Sequence, residues 1–197
     1  QISAKTWNEY VTRLSRLNQK AGQLMREYID AHGTANTDDL VAYAYGLVTK
    51  YGEGSAELAC QMYEALAEAQ GVYVPAAEPA ETASYSEVAR MVHATKDQNP
   101  ANLPNGVSRL VKRAGADTTL KNAVRDGAEW AWIPHGDTCP FCITLASNGW
   151  QKASKKLLKG GHAEHIHAHC DCEFAVRFRS DRLAGERCRS RKRTTGR

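Results

Sequence analysis

The stretch from Trp130 to Phe178 limits the folding of this chain more than any other. It holds four of the six cysteines (Cys139, Cys142, Cys170, Cys172) and five of the seven histidines (His135, His162, His165, His167, His169). Thiolate sulfur and imidazole nitrogen are the ligands that zinc favours, usually four of them in a tetrahedron. The cysteines form a C-x-x-C turn, Cys139-Pro140-Phe141-Cys142, and a C-x-C pair, Cys170-Asp171-Cys172, preceded by His167. Three disulfides in a secreted protein would also use six cysteines. Histidine-flanked pairs at these spacings fit a metal site in a reducing compartment better. A bound zinc ion is therefore the first expectation.

A C-x-x-C turn can bring both sulfurs to one ion, so Cys139 and Cys142 are expected to supply half of the site. The other half must come from His167-Ala168-His169-Cys170-Asp171-Cys172. If a strand begins at Cys170, Cys170 and Cys172 share a face and Asp171 takes the other. Four cysteines complete a site, or His167 replaces one of the last pair; both arrangements stay open. A closed site of this kind staples a small module that has few large apolar residues. A catalytic site would instead need an open coordination position and a general base.

Glu164, in His162-Ala163-Glu164-His165, is the obvious candidate base. The order is the reverse of the zinc deaminases, where H-x-E precedes P-C-x-x-C, and Thr138 stands where that pattern has proline. The spacing does not match the H-E-x-x-H helix of metalloproteases. His162 and His165 therefore read as loop or surface residues, and His32, His93 and His135 have no distinguishing context. Cys60, inside a helical segment, reads as a small buried apolar residue. Cys188 lies outside any ligand spacing.

The remainder of the chain reads as helical. Trp7, Tyr10, Val11, Leu14, Leu17, Ala21, Leu24, Met25, Tyr28 and Ile29 recur at spacings of three and four, which predicts an amphipathic helix from about Ser3 to Ala31, with Gly33 at its C-terminal cap. Asn36 or Thr37 caps a second helix whose first turn carries Asp38 and Asp39. Gly52-Glu53-Gly54-Ser55 is expected to break the chain before a third helix capped by Ser55. From Gly71 to about Ser84, Pro75 and Pro79 prevent a helix and predict a linker or extended strap. A short helix is expected from about Ser86 to Lys96, another through Val107, Leu110 and Val111, and another introduced by Gly115-Ala116-Asp117. The first credible strand is Trp130 to Pro134. The second is Cys172 to Phe178, where Cys172, Phe174, Val176 and Phe178 alternate with Glu173, Ala175 and Arg177.

The fold class that follows is mainly α: a helical N-terminal region followed by a small α+β zinc-binding C-terminal module. The expected divisions are residues 1–84 (helical region with a Pro-rich linker), 85–178 (helices leading into the zinc-binding module) and 179–197 (a basic tail, disordered when unbound). Hydrophobic and charged fractions of 42% and 24% are those of a soluble protein. No run of about 18 apolar residues argues for a membrane span. Charge is unevenly spread. Residues 177–197 hold nine Lys/Arg against Asp181 and Glu186, a net of +7, which leaves −3 for the rest of a chain whose total is +4. Arg187, Arg189, Arg191, Lys192 and Arg193 are thus the candidate nucleic-acid contacts, since unfocused positive charge binds phosphate without reading sequence. Lys152, Lys155, Lys156 and Lys159 read first as a solvated face.

The arrangement from Asp117 to Phe178 resembles the tailed-phage minor head or head-morphogenesis proteins of the Mu F-like group. Asp117-Thr118, the helix through Arg125-Asp126, W-I-P-H-G-D-T-C-P-F-C-I-T-L-A-S-N-G-W from Trp132 and H-x-H-C-D-C before a short strand carry the resemblance. It implies a virion protein assembled in the bacterial host cytoplasm, acting in head assembly near the portal and in DNA packaging or delivery. It also implies portal and other head proteins as partners and no catalytic residues; the basic tail would contact DNA or an acidic patch on another head protein, and a homo-oligomer and a monomer both stay open. The zinc ligands it implies are Cys139, Cys142, His167, Cys170 and Cys172. A zinc-dependent hydrolase, specifically a nuclease using Glu164, and a nucleic-acid-binding zinc module are the competing readings.

Overall fold

The computed structural model describes residues 2–136, 139–156 and 172–178. Among the described residues the elements follow one another as α1 (Ala4–His32), α2 (Thr37–Ala69), α3 (Tyr85–Gln98), a 3-10 turn (Pro100–Asn102), α4 (Leu103–Asp126), β1 (Glu129–Ile133), α5 (Pro140–Ala146), β2 (Gln151–Lys152) and β3 (Glu173–Arg177). The described residues are thus mainly helical, with one small sheet. No helix among them is long and apolar enough to cross a membrane.

The helix ends follow local chemistry. The Ser3 hydroxyl accepts the Thr6 N–H at the start of α1, and the Gly33 N–H returns to the Ile29 carbonyl at its end, with Gly33 at φ 71°. The Asn36 side chain accepts from the Asp39 N–H, and Asp38 and Asp39 occupy the first turn of α2. Ser84 and Glu87 form a reciprocal capping box on α3. Gly127, at φ 60°, closes α4, with the Ala128 N–H reaching back to the Ala123 carbonyl.

Two expected breaks do not occur. The chain runs through Gly52-Glu53-Gly54-Ser55 without interruption, so the second and third expected helices are one, α2, of 33 residues. It also runs through Gly115-Ala116-Asp117, giving a single 24-residue α4. Glycine costs about 1 kcal/mol in a helix interior, and here close packing offsets that cost. A Cβ on Gly52 would lie 2.8 Å from Thr82 Cγ2 and 3.6 Å from Ala114 Cβ. On Gly115 it would lie 2.6 Å from Ser55 Oγ and 3.4 Å from Leu14 Cδ2. These glycines are notches that let α1, α2 and α4 approach one another.

The prolines of residues 71–84 keep that segment extended, and side chains of α2 and α4 satisfy its backbone. Asn122 accepts the Glu78 N–H at 3.0 Å and donates to the Glu78 carbonyl at 2.9 Å. Thr118 Oγ1 accepts the Ala80 N–H, Glu64 accepts the Ala77 N–H, and Arg125 donates to the carbonyls of Pro75 and Ala76. The segment is a fastened strap, in keeping with the need to pair every buried backbone group. Two apolar clusters fill the interior. One joins Met25, Leu40, Val48, Val92, Leu103 and Val111 among the helices. The other joins Leu14, Tyr63 and Leu120 to Trp130, Trp132, Phe174 and Val176 of the sheet.

The sheet is antiparallel in the order β2-β1-β3. Trp130 faces Val176 and Trp132 faces Phe174, so one face carries an aromatic ladder, with Trp132 and Phe174 rings 4.2 Å apart. The expected strands are thus present and paired. β2 lies in the lysine-bearing connector, where two residues are too short to show an alternation. Gln70, at the end of α2, covers the outer edge of β3: its amide donates to the Val176 carbonyl and accepts the Phe178 N–H.

Candidate metal centre

The C-x-x-C turn is built as the start of a helix. Cys139 is the N-cap of α5, with Pro140 at its first position, where a missing N–H costs nothing. Cys139 Sγ accepts the Cys142 N–H at 3.5 Å, so the thiol itself caps the helix. Cys142 is fully buried and Cys139 half-buried. α5 follows directly from this geometry, and only its seven-residue length kept it from showing in the helical periodicity.

Cys172 arrives from the other direction, one residue before β3. It is buried, and its Sγ lies 3.3 Å from Cys142 Sγ. A disulfide would need about 2.0 Å. Two thiolates on one tetrahedral zinc, each at about 2.3 Å, are separated by about 3.8 Å, so the observed spacing is within half an ångström of a shared ion. The ring wall of Trp130, Trp132 and Phe174 belongs to the same cluster as both cysteines. It keeps water from the inner side of the sulfurs, and a soft cation suits such a dry sulfur-lined corner.

Cys142 and Cys172 are therefore brought together, and Cys139 is joined to Cys142 through the α5 cap. His167 and Cys170, the other candidate ligands, lie outside the described residues, as do His162, Glu164, His165, Cys188 and the tail residues Arg187, Arg189, Arg191, Lys192 and Arg193. Among the described residues, no group of three or more His, Cys, Asp or Glu side chains is placed to hold a metal ion. Cys60 is buried in α2 and is joined to none of these. Burial, and then the charges of Glu57 and Glu64, push its thiol up to about 11. It behaves as the small apolar residue expected of it.

Behind the sheet lies a feature that sequence reasoning missed. Glu173 of β3 and Lys112 of α4 are both buried and 3.5 Å apart. Tyr10 of α1 shares the pocket: burial, and then the charge of Glu173, push its phenol well above the ordinary value. Lys112 falls among apolar helical positions, and Glu173 alternates with apolar strand residues. Their burial was legible only as two charges placed on faces that should have been dry.

A family described as VG15 protein matches residues 1–193. The chain belongs to the VG15 protein family. The match runs across the helices, the strap and the cysteine-bearing module alike, and membership points to a viral protein. No curated protein and no solved structure matches the chain.

Proposed function

We propose that this VG15 family member is a structural component of a tailed-phage head, a minor head protein of head morphogenesis, whose C-terminal module is closed by a zinc clasp. The observation that carries the clasp is the seating of Cys172 against Cys142 beside the Cys139 turn. Family membership supports the viral setting. In this reading Cys139, Cys142 and Cys172 are joined by Cys170 or His167 in a closed four-ligand shell. The ion supplies a cross-link between the start of α5 and β3, a contribution made to folding itself. The chain's own residues do the rest: Pro140 and the Cys142 N–H orient the turn, and the aromatic ladder excludes water.

The helical body then serves as a docking platform for the portal and neighbouring head proteins, possible further copies of the chain included. The basic residues Arg187, Arg189, Arg191, Lys192 and Arg193 contact packaged or passing DNA through phosphate charge alone. Mass spectrometry of purified particles tests the assignment. The chain is expected in low copy in heads that contain the portal protein, and its absence from mature and immature particles alike contradicts the proposal.

A further inference from the structure

The buried pair Lys112 and Glu173 sits directly behind the clasp. Their side chains are only 3% and 7% exposed. Desolvating two charges costs several kcal/mol per ion, and mutual attraction often fails to exceed that, so such a pair is weak evidence for stability. Its best-attested use is to select one arrangement among near equals. β3 has alternatives that need excluding. It is five residues long and lies at the edge of the sheet, with Phe174 and Val176 buried on one face and Ala175 buried on the other. The apolar face of Cys172, Phe174, Val176 and Phe178 already favours this register, and because the other face is covered too, a slip of one residue would exchange two buried faces. Glu173 is the only buried charge in β3.

Cys172 and Glu173 are consecutive, and in extended backbone consecutive side chains point to opposite sides. One side leads to Cys142 Sγ at 3.3 Å, the other to Lys112 Nζ at 3.5 Å. A slipped strand would carry the carboxylate toward the aromatic ladder and the thiol toward α4. We infer that the Lys112–Glu173 pair is a positioning device that fixes the register of β3 and so seats Cys172 opposite Cys142, making the helical body the setter of the clasp's geometry. The inference rests on the clasp reading for its purpose, whereas the register itself can be read without metal.

The test uses the full chain, metal-free, with the thiol oxidant diamide, which takes the two protons and two electrons released as the Cys142 and Cys172 sulfurs join. The Cys142–Cys172 cross-link is followed by peptide mapping, and cobalt(II) is titrated in parallel. Lys112→Met/Glu173→Met removes both charges and retains packing, so its melting temperature is expected to equal or exceed that of the parent chain. Its cross-linking should nonetheless slow at least about threefold, and its cobalt affinity fall about tenfold, as for other loss of support behind a ligand. Unchanged cross-linking in the stable double variant overturns the inference. If the double variant fails to fold, Glu173→Gln, which keeps shape and loses charge, is read the same way: slowed cross-linking supports the inference and an unchanged rate overturns it. A parent chain that takes up no cobalt, while cross-linking still slows in the variant, leaves the positioning role standing and removes the metal reading.

Discussion

The helical body and the C-terminal module solve the same problem by different means. In the body, α1, α2 and α4 bury long apolar stripes and close on one another at Gly52, Gly115 and Ser55. In the module, two five-residue strands, a two-residue strand and a seven-residue helix leave Phe141 44%, Ile143 55% and Trp150 37% exposed. A helix pair of this length holds itself by packing, but so small a sheet needs three or more strands, a helix against it or a staple. The module has all three within reach: three strands, the helices behind them, and the sulfurs at its open end. The difference teaches that the body can be expected to fold without the clasp, and the module's outer half cannot.

The strongest way to break that asymmetry is to strike where the two regions meet. Leu120 of α4 is buried in the cluster that contains Trp130 and Phe174. Leu120→Ala is expected to cost about 3 kcal/mol and to lower the near- and far-ultraviolet circular dichroism transitions together. Separate transitions in this variant would mean that the regions are uncoupled.

Within the body alone, Gly115→Ala pushes a methyl to 2.6 Å from Ser55 Oγ. It is expected to cost about 2 kcal/mol in urea unfolding, despite alanine's better helix propensity. Adding Ser55→Gly should recover much of the loss, because it removes the colliding hydroxyl. A stabilised Gly115→Ala would refute the notch account.

Smaller effects sharpen the picture at the margins. Asn122→Ala leaves both backbone groups of Glu78 without their side-chain partner and is expected to cost about 1 kcal/mol, with faster amide exchange at Glu78 and cleavage concentrated in residues 71–84. At the start of α3, burial works against the Glu87 carboxylate, but the Ser84 N–H and Arg113 outweigh it and hold its pKa below the ordinary range. A depressed carboxylate contributes stability above the unfolded glutamate pKa of about 4.3 and loses it as pH falls through the folded value. Glu87→Gln should therefore be less stable than the parent at pH 7, by under about 1 kcal/mol, and converge with it in acid. Equal differences at both pH values would show that the box works through shape alone.

How much of this was legible in sequence divides along the same line. Gly33 and Asn36 were readable as caps because capping is chemistry among near neighbours, whereas the Ser84–Glu87 box, which starts α3 one residue before the expected Ser86, was not read. Gly52 and Gly115 misled because a glycine that ends a helix and one that admits another helix look alike locally; the neighbours that decide, Thr82 and Ser55, are far away in sequence. The turn at Cys139 and Cys142 was marked by spacing, as was the strand at Phe174 and Val176 by alternation. α5 and β2 were too short for any period, and the Lys112–Glu173 contact, between residues 61 positions apart, had no local sign. His167, Cys170 and the basic tail lie outside the described residues, so the proposed fourth ligand and the proposed DNA contact rest on spacing and charge.

The most direct measurement of the central claim is metal content read together with tertiary structure. Trp130, Trp132 and Phe174 make the near-ultraviolet circular dichroism a report on the module, whereas the helices dominate the far-ultraviolet signal. The chain purified without chelator is expected to carry about one zinc ion. Its removal should strongly reduce the tryptophan part of the near-ultraviolet signal, leave most of the helical signal in place, and be reversed by adding zinc to the parent chain but not to Cys142→Ser/Cys172→Ser. A metal-free chain whose near-ultraviolet spectrum is already ordered, and does not change when zinc is added, contradicts the account.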